Sequence, residues 1–296
     1  MRPAFVVEFA TPKKYQLRGL WFGPRKPKCA IVWIHGLGGS AFSMGSVVEK
    51  LVNKDTAVLT FNNRGFERVA EIKRKIGKKT TWTRAGAAHE VFTDCLDDVQ
   101  GAVNVARKSG AKNIYVGGQS TGCQKSIYWA STAKGGQRIK GIILLAPVSD
   151  YAGAAKRHGK KKIERGIAYA RRLIKQGRNH DLLPPSVWSE ELDDAQRFLS
   201  LYTPDSVEEI FSYALPMKAP KVLKSVKVPI LTLWAGKDEY TDRPAKKIEE
   251  WFKKHVNGNI LTFATIQGAT HGFRNKEKIV ARMVQRWMAH KSGANY

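Results

Sequence analysis

The sequence predicts an α/β fold in which a mostly parallel sheet is covered by helices on both faces. Short apolar runs alternate with segments of helical periodicity along most of the chain, and this alternation is typical of parallel strands joined by helices. The apolar runs are continuous, as expected of strands that are buried on both faces. With 296 residues, of which 43% are hydrophobic, the chain is long enough for one large domain that carries an insertion.

Eight segments are predicted to be strands. The first two, residues 5–9 and 15–22, are separated by a few residues and are expected to add an antiparallel edge to the sheet. The other six have the character of buried core strands, and they are residues 29–34, 57–61, 114–116, 142–145, 230–234 and 260–263.

Apolar side chains at helical spacing predict three of the helices between and after these strands. The first helix ends before Gly110, a residue type that commonly terminates helices. The marker residues are Val91, Phe92, Cys95, Val99, Val103 and Ala106 for the first helix, Ile248, Trp251 and Phe252 for the second, and Ile279, Met283 and Trp287 for the last.

One long segment interrupts the alternation. Residues 151–223 contain helical periodicity, loops and prolines, but no convincing strand. We therefore predict a core made of residues 1–150 and 224–296 and a helical cap made of residues 151–223. Because the cap is inserted before the penultimate core strand, it is expected to stand above the carboxyl edge of the sheet.

Ser120 is the candidate nucleophile. It lies in the segment Gly118-Gln119-Ser120-Thr121-Gly122, which fits G-x-S-x-G and has a predicted strand before it and a helix after it. A serine at such a bend projects into a cleft, and the helix N-terminus stabilises a developing oxyanion. The alternative is a serine that merely occupies a tight bend.

A serine nucleophile needs a base, and the base needs a carboxylate that orients it. His271 lies in a loop after the last core strand, at the edge of the sheet where Ser120 is expected. The segment LTLWAGKDEYTD offers three carboxylates after the preceding strand, of which Asp238 is the first. Asp150 is the second choice, because it also ends a strand at this edge.

The other two carboxylates after that strand are Glu239 and Asp242. Asp242 has an alternative role as the N-cap of the helix that opens near Arg243. The order Ser120, Asp238, His271 along the chain matches one of the known orders of catalytic triads.

An oxyanion hole is predicted from the glycine-rich segment HGLGG that follows the strand at residues 29–34. Glycines there allow the N–H of Leu37 to turn toward the cleft, and the N–H of Thr121 would be the second donor. A phosphate-binding loop is the alternative. However, the segment lacks both G-x-x-x-x-G-K-[ST] and the last glycine of G-x-G-x-x-G.

These features together resemble the serine α/β-hydrolase superfamily over nearly the whole chain. The matching parts are HGLGG, GQSTG, the Asp after the penultimate strand and HGF near the end. The segments APVSD, RFLSLYTPD and FSY are similar to a smaller group that includes fungal siderophore esterases. The resemblance implies that Ser120, Asp238 and His271 are nucleophile, acid and base, that Leu37 and Thr121 hold the oxyanion, and that the activity is ester hydrolysis.

The cysteines and histidines favour neither a disulfide framework nor a metal site. Cys29, Cys95 and Cys123 are scattered without C-x-x-C spacing, and the seven histidines form no H-x-x-x-H pattern. We therefore predict no metal and no cofactor, and we expect Cys123 to pack beneath the serine. The N-terminus lacks the features of a signal peptide, so a soluble cytoplasmic protein is expected.

The charge of the chain is unusual, with 51 Lys and Arg residues against 25 Asp and Glu residues and a net charge of +26. This balance favours anionic partners, either a surface or a substrate. Residues 156–178 form a basic stretch of the cap. Residues 67–84 form a second basic stretch in a loop expected beside the cleft. No nucleic-acid-binding motif accompanies the charge, so a weak association with anionic surfaces is the most that it predicts.

The sequence thus predicts a carboxylic ester hydrolase that acts on small-molecule esters with short to medium acyl groups. Cleavage of an amide, thioester or C–C bond by the same triad is one alternative. A basic protein that binds nucleic acid or anionic lipid on a hydrolase scaffold is another. Six cap aromatics are expected mainly to form the core of the cap, although they could line an acyl site: Tyr169, Trp188, Phe198, Tyr202, Phe211 and Tyr213.

Overall fold

The computed structural model describes residues 3–292, so residues 1–2 and 293–296 of the predicted core lie outside the described range. An eight-stranded sheet runs through the described residues in the order β1-β2-β4-β3-β7-β8-β9-β10. Its strands are β1 (Ala4–Ala10), β2 (Gln16–Phe22), β3 (Cys29–Ile34), β4 (Thr56–Phe61), β7 (Asn113–Gln119), β8 (Gly141–Leu145), β9 (Ile230–Ala235) and β10 (Leu261–Ile266).

The predicted antiparallel edge is confirmed. β1 pairs with β2, and β2 pairs with β4, in antiparallel fashion. All other neighbours in this sheet are parallel. Five of the six core strands consist of apolar runs that are almost wholly buried, which explains why the sequence pattern located them. In the sixth, β10 at the edge of the sheet, only Ile266 is buried.

Helices cover both faces of the sheet, as predicted. Side chains of α1 and α9 pack on one face, whereas those of α2, α3 and α8 pack on the other. These helices are α1 (Gly45–Leu51), α2 (Cys95–Lys108), α3 (Thr121–Thr132), α8 (Ala245–His255) and α9 (Glu277–Ser292).

The strand register brings the carboxyl ends of the central strands to one level. Ile34 at the end of β3 pairs with Gly118 of β7. Gln119, the last residue of β7, pairs with Leu145 at the end of β8. Loops that follow these strands therefore meet at a single edge of the sheet, which is where α/β sheets place their ligands.

Between β8 and β9 the chain is helical. This segment contains α4 (Asp150–His158), α5 (Lys160–Lys175), α6 (Ala195–Tyr202) and α7 (Lys221–Ser225), and we call residues 150–225 the cap. The cap lies where the sequence predicts it, before the penultimate strand of the sheet. The division of the chain into a core and a cap domain with boundaries at 151 and 223 stays a prediction.

The aromatic side chains of the cap are divided between two clusters. Trp188, Phe198 and Tyr202 are buried in the cap's own apolar cluster, which Tyr169 borders. Phe211 and Tyr213 belong instead to the main core cluster, on the face of the sheet that α2, α3 and α8 cover. Their burial agrees with the expectation that most of these rings have a packing role.

The basic stretch at residues 67–84 is not the predicted loop. It forms an antiparallel hairpin of β5 (Ala70–Ile76) and β6 (Lys79–Ala85), with Gly77 at a φ of 58° in the turn. The prediction failed because the hairpin has no apolar run. Of its fourteen strand residues only Ile72 and Ala85 are buried, and the rest are mainly Lys, Arg and Thr.

Two predicted helices differ in detail from the structure. The chain makes a short 3-10 turn at Phe92–Asp94, and α2 begins only at Cys95, so Val91 precedes the helix and is exposed. In α9 the buried face contains Val280, Val284 and Trp287, whereas Ile279 is 44% exposed. The i, i+4, i+8 pattern from Ile279 was thus displaced by about one position from the true apolar face.

Within residues 3–292, no helix has both the length and the apolar character needed to cross a bilayer.

Candidate active site

Ser120 occupies a strained position between β7 and α3. Its φ of 54° and ψ of −127° lie outside the backbone regions that residues other than glycine prefer. Such a conformation costs about 1–3 kcal/mol and persists only where the surrounding structure enforces it. Here the Ser120 N–H donates to the carbonyl of Leu145 at 3.0 Å, and the Ser120 carbonyl accepts from the N–H of Cys123 at 2.8 Å.

The glycines around Ser120 permit close passage of backbone. A Cβ at Gly118 would lie 2.3 Å from the carbonyl carbon of Gly122, and a Cβ at Gly122 would lie 2.3 Å from the carbonyl oxygen of Ile34. Neither position has room for a side chain. The sequence G-x-S-x-G is therefore required by the geometry of this strand-to-helix turn.

Cys123 packs beneath the turn, as the sequence predicts. Its Sγ is buried and donates to the carbonyl oxygens of Gly118 and Leu145 at 3.2 and 3.3 Å. Burial raises the pKa of this thiol well above its ordinary value. The side chain is consequently a protonated packing group and not a nucleophile.

The structure brings His271 and Asp238 together. Nδ1 of His271 donates to Oδ2 of Asp238 at 2.8 Å, and the carboxylate also accepts from the N–H of Tyr240 at 2.9 Å. The Asp238 side chain is fully buried and that of His271 is 10% exposed. Because Nδ1 carries the hydrogen, Nε2 of the neutral ring is left as a proton acceptor.

The backbone of His271 makes two hydrogen bonds, one to the residue after Asp238 and one to the residue before Ser120. Its N–H donates to Oε2 of Glu239 at 3.0 Å, and its carbonyl accepts from Nε2 of Gln119 at 3.3 Å. Gln119 directly precedes Ser120. The loop of His271 is thus tied to the turn that carries the serine.

The glycine-rich loop after β3 lies against the same turn. A Cβ at Gly36 would be 3.1 Å from the Cβ of Ser120. Within residues 3–292 the N–H of Leu37 has no hydrogen-bond acceptor. As the first residue of α3, Thr121 has an N–H without an acceptor in a preceding helical turn. The Leu37 side chain packs against the apolar cluster of the cap.

His35 supports this loop from below. Its Nδ1 donates to the carbonyl oxygen of Gly36 at 2.8 Å, and its ring is buried. Burial, assisted by the nearby charge of Lys125, lowers the pKa of His35 to about 4. The ring is therefore neutral near pH 7 and serves as a fixed support for the loop.

The alternative carboxylates occupy other positions. Asp150 is the first residue of α4, accepts from Nε2 of Gln124 at 2.9 Å and, among the described residues, has no hydrogen bond to the His271 ring. Burial and the charge of Glu208 raise the pKa of Asp150 to about 7. Asp242 pairs with Arg243 at 2.7 Å, and α8 begins later, at Ala245, so Asp242 is not its N-cap.

An exposed guanidinium lies near the His271 ring. The Tyr240 ring packs against the His271 ring in a tilted arrangement, with 4.6 Å between centroids. The guanidinium of Arg157, from α4 of the cap, lies 4.7 Å from the centroid of the Tyr240 ring on which it stacks. The cap therefore presents a positive charge at the edge of the site.

A chain of buried charges joins the cap to the core. Nζ of Lys125, from α3, lies 2.5 Å from Oε1 of Glu90. Nη2 of Arg197, from α6 of the cap, lies 3.1 Å from the other oxygen of Glu90, and its Nη1 lies 2.6 Å from Glu208. Although burial opposes ionisation, Lys125 and Arg197 together lower the pKa of Glu90. We call these four residues the cap–core ion chain.

The site residues lie outside the group that has the geometry to hold a metal ion. Within residues 3–292 this group consists of His89, His180 and Asp194. None of the three touches Ser120, Asp238 or His271 by a hydrogen bond. The expectation of no cofactor at the site stays a prediction.

Sequence reasoning missed Gln119 and the cap–core ion chain. Gln119 stands inside the quoted motif, and its position next to Ser120 was the available signal. The ion chain had no such signal, because Glu90, Lys125 and Arg197 lie far apart in the sequence and meet only in the fold.

The fold is that of α/β hydrolases, as the resemblance implies. The family model described as "Protein of unknown function (DUF1749)" matches residues 89–290. The chain belongs to this family, since the match covers more than half of its length. No curated protein sequence matches the chain.

Solved structures with the same fold cover nearly the whole chain. Siderophore hydrolase EstB from Aspergillus fumigatus is 16% identical with a TM-score of 0.69, and the match covers 98% of both chains. The α/β hydrolase GrgF from Penicillium sp. sh18 is 17% identical with a TM-score of 0.66, covering 98% of this chain and 99% of GrgF. Est1E from Butyrivibrio proteoclasticus, in a complex with ferulic acid, is 18% identical with a TM-score of 0.64, covering 97% and 100%. At these identities the likeness establishes the fold.

Proposed function

We propose that the protein is a carboxylic ester hydrolase that uses Ser120, His271 and Asp238 as a catalytic triad. The observation that carries the proposal is the placement of the strained Ser120 beside a His271 loop that Gln119 ties to the same turn. The 2.8 Å contact between His271 and Asp238 supplies the oriented base. Esterases and other hydrolases among the proteins that share the fold are in accord with this activity.

In the proposed mechanism, Nε2 of His271 takes the proton of the Ser120 hydroxyl as the oxygen attacks the ester carbonyl. The buried carboxylate of Asp238 stabilises the imidazolium that forms. The protonated His271 then gives its proton to the leaving alcohol, and an acyl-enzyme remains on Ser120. Water, activated by the same histidine, releases the acid and restores the serine.

Leu37 and Thr121 are proposed to hold the oxyanion of each tetrahedral intermediate. Both residues offer backbone N–H groups beside Ser120, one from the glycine-rich loop and the other from the start of α3. Backbone donors held by a folded loop need no reorganisation when charge develops, which makes them effective in the transition state.

The substrate is proposed to be a small-molecule ester that carries an anionic group near the scissile bond. Arg157 supports this choice, because its exposed guanidinium lies over the Tyr240 ring, which in turn packs against His271. The net charge of +26 also attracts anions over longer range. The proposal predicts that Arg157→Gln raises KM for a p-nitrophenyl hemiester of a dicarboxylic acid but not for p-nitrophenyl butyrate.

Arg172→Gln is the matched control for this measurement. Arg172 also stacks on a tyrosine of the cap, with its guanidinium 4.6 Å from the centroid of the Tyr169 ring, but it lies on α5. If Arg157→Gln and Arg172→Gln have the same effect on KM for both esters, Arg157 does not select anionic substrates.

The function itself is tested with initial rates on p-nitrophenyl esters from acetate to laurate. Wild-type protein is expected to hydrolyse the short and medium esters, and Ser120→Ala is expected to lose nearly all turnover. Ser131→Ala, on the same helix, serves as the control that keeps full activity. Wild-type turnover by a folded Ser120→Ala variant would contradict the assignment of Ser120 as the nucleophile of the triad.

A folded wild-type protein without turnover on any of these esters would point to another bond. The same triad cleaves amides, thioesters and C–C bonds. The next substrates would then be matched p-nitroanilides and thioesters of the same acyl groups.

A further inference from the structure

A second cluster of chemically capable side chains lies between the cap and the core. His89 belongs to a 3-10 turn of the core that precedes α2. His180 lies in the cap loop after α5, and Asp194 is the N-cap residue of α6. Nδ1 of His89 and Nδ1 of His180 lie 2.9 and 2.8 Å from the same carboxylate oxygen, Oδ2 of Asp194.

The other oxygen of this carboxylate is already used. Oδ1 of Asp194 accepts the N–H of Arg197 at 2.7 Å, which caps α6. This bond fixes the direction of the carboxylate, so Oδ2 faces the two imidazoles. The Asp194 side chain is fully buried, and that of His89 is 5% exposed.

Hydrogen bonds between the three segments hold the cluster in place independently of its own side chains. Each ligand-bearing segment is joined to another through the residues next to the ligands. These bonds are Asp194 N–H to Ala88 O at 2.9 Å, Ala195 N–H to Asp181 O at 3.0 Å, Gln196 N–H to Asn179 O at 3.0 Å and Gln196 Nε2 to Glu90 O at 2.9 Å.

The donor set suits a borderline divalent ion. Two imidazole nitrogens and one carboxylate oxygen are ligands that Zn²⁺ accepts at roughly 2.0–2.2 Å. The three ligand atoms lie within 4.8 Å of one another. Atoms that are each about 2.1 Å from one ion lie no more than about 4.2 Å apart, so the ligand atoms need to approach one another by about 0.6 Å at most. The His180 side chain is 57% exposed, which leaves the solvent side open for a fourth ligand such as water.

We propose that His89, His180 and Asp194 form a zinc site that joins the cap to the core. To admit the ion, the nitrogens must move from hydrogen-bond distance to about 3.4 Å from Oδ2, the spacing of a tetrahedral site. The exposed His180 can make this movement without disturbing the core, whereas the His89 ring, which is 5% exposed, must shift by about 0.5 Å within the core. Zinc binds a ring nitrogen that carries no hydrogen. On binding, each imidazole therefore either releases its Nδ1 proton to solvent or carries its hydrogen on Nε2 instead.

This site lies outside the proposed ester-hydrolysing machinery, and its existence does not depend on that activity. A sequence search for metal spacing does not detect it, because the ligands stand at positions 89, 180 and 194 and approach one another only in the fold. The ion would act as a structural link, since its ligands come from both the core and the cap.

The test uses the full chain after treatment with EDTA and dialysis. Zinc sulfate is titrated into the protein by calorimetry at pH 7.5, and Co²⁺ is added separately to record its visible absorption. One zinc per chain is expected, with a rise in Tm when zinc is in excess. His180→Ala is expected to weaken zinc binding by at least about tenfold, because even outer partners of metal ligands are worth that much.

His290→Ala is the matched control, since His290 is an exposed histidine of α9 outside the cluster. It should bind zinc as the wild type does. Asp194→Asn is the second variant. It keeps an oxygen to cap α6 but loses the charge, and it should lose zinc binding while circular dichroism shows a folded protein. Folded wild-type protein that binds no zinc, or that binds zinc no more tightly than His180→Ala, overturns the proposal.

Discussion

Gln119 donates a hydrogen bond from Nε2 to the carbonyl oxygen of His271 over 3.3 Å. The bond joins the residue before the proposed nucleophile to the backbone of the proposed base. The bond thereby fixes the distance between two loops that are 152 positions apart in the sequence. We infer that Gln119 positions the histidine relative to the serine.

Replacing Gln119 is therefore expected to affect kcat more than KM. Loss of the donor in Gln119→Ala should lower kcat on p-nitrophenyl butyrate by about tenfold to a hundredfold, since small displacements of reacting groups have effects of this size. Gln119→Glu keeps the volume but not the donor, and it should be equally impaired. Wild-type kcat in Gln119→Glu contradicts the positioning role.

The choice between the two candidate acids is testable by a pair of amide substitutions. Asp238→Asn should lower kcat by about three to four orders of magnitude, because an amide favours the wrong histidine tautomer. Asp150→Asn should retain activity within about tenfold, since Asp150 bonds to Gln124 and not to the His271 ring. The reverse order of the two effects would make Asp150 the acid.

Gly122→Ala is expected to damage both stability and activity. Its Cβ would lie 2.3 Å from the carbonyl oxygen of Ile34, so the backbone of β3 or α3 must shift. Forced repacking of this kind costs about 1–3 kcal/mol of unfolding free energy. Urea denaturation measures the loss, with Gly45→Ala as the control because a Cβ there meets nothing within 4 Å. Equal stability of the two variants would refute the steric argument.

Lys125→Met tests the cap–core ion chain. Methionine keeps an unbranched side chain, one atom shorter than that of lysine, and removes one of the two buried cationic partners of Glu90. Breaking a buried ion pair in this way destabilises proteins by about 3–5 kcal/mol. The control is Lys247→Met, which removes an exposed pair with Glu250 and should change stability by less than about 1 kcal/mol. Similar urea midpoints for both variants are the outcome that excludes a structural role for the chain.

Glu209 predicts a dependence of stability on pH. Burial, opposed in part by the hydrogen bond from Ser149, raises the pKa of Glu209 from its ordinary 4.5 to about 8. Between these values the folded protein holds a proton that the unfolded chain has released. The contribution of Glu209 to the unfolding free energy is therefore fully present below about pH 4.5. It is lost as the pH rises from about 4.5 to about 8.

Glu209→Gln removes this titration, and the comparison with wild type isolates it. The unfolding free energy of Glu209→Gln relative to wild type should rise by about 1 kcal/mol or more between pH 5 and pH 9. Urea denaturation at both pH values measures the change. Glu250→Gln alters an exposed carboxylate and should show no such trend. A flat difference for Glu209→Gln would mean that Glu209 titrates normally in the folded state.

The sheet and the edge where the candidate site lies were predictable because they depend on local patterns. Buried strands leave continuous apolar runs, and residues that follow parallel strands must meet at one edge. His271 and Asp238 each follow a core strand, so their 2.8 Å contact was accessible to sequence reasoning.

The parts that were not predictable depend on contacts between distant segments or on strands without an apolar run. The hairpin of β5 and β6 buries only Ile72 and Ala85, so its Lys-rich and Thr-rich strands look like a loop. Arg197 appears in the sequence as one more basic residue among many. Only the fold reveals that its guanidinium is completely buried beside Glu90.

The cap–core ion chain bears on how a substrate enters and a product leaves. Lifting the cap would separate Arg197 from Glu90 and would expose both groups, together with Lys125, to solvent. Substrate is thus expected to reach Ser120 while this contact between cap and core stays closed. The ion chain would then make the cap a fixed wall of the site and not a moving lid.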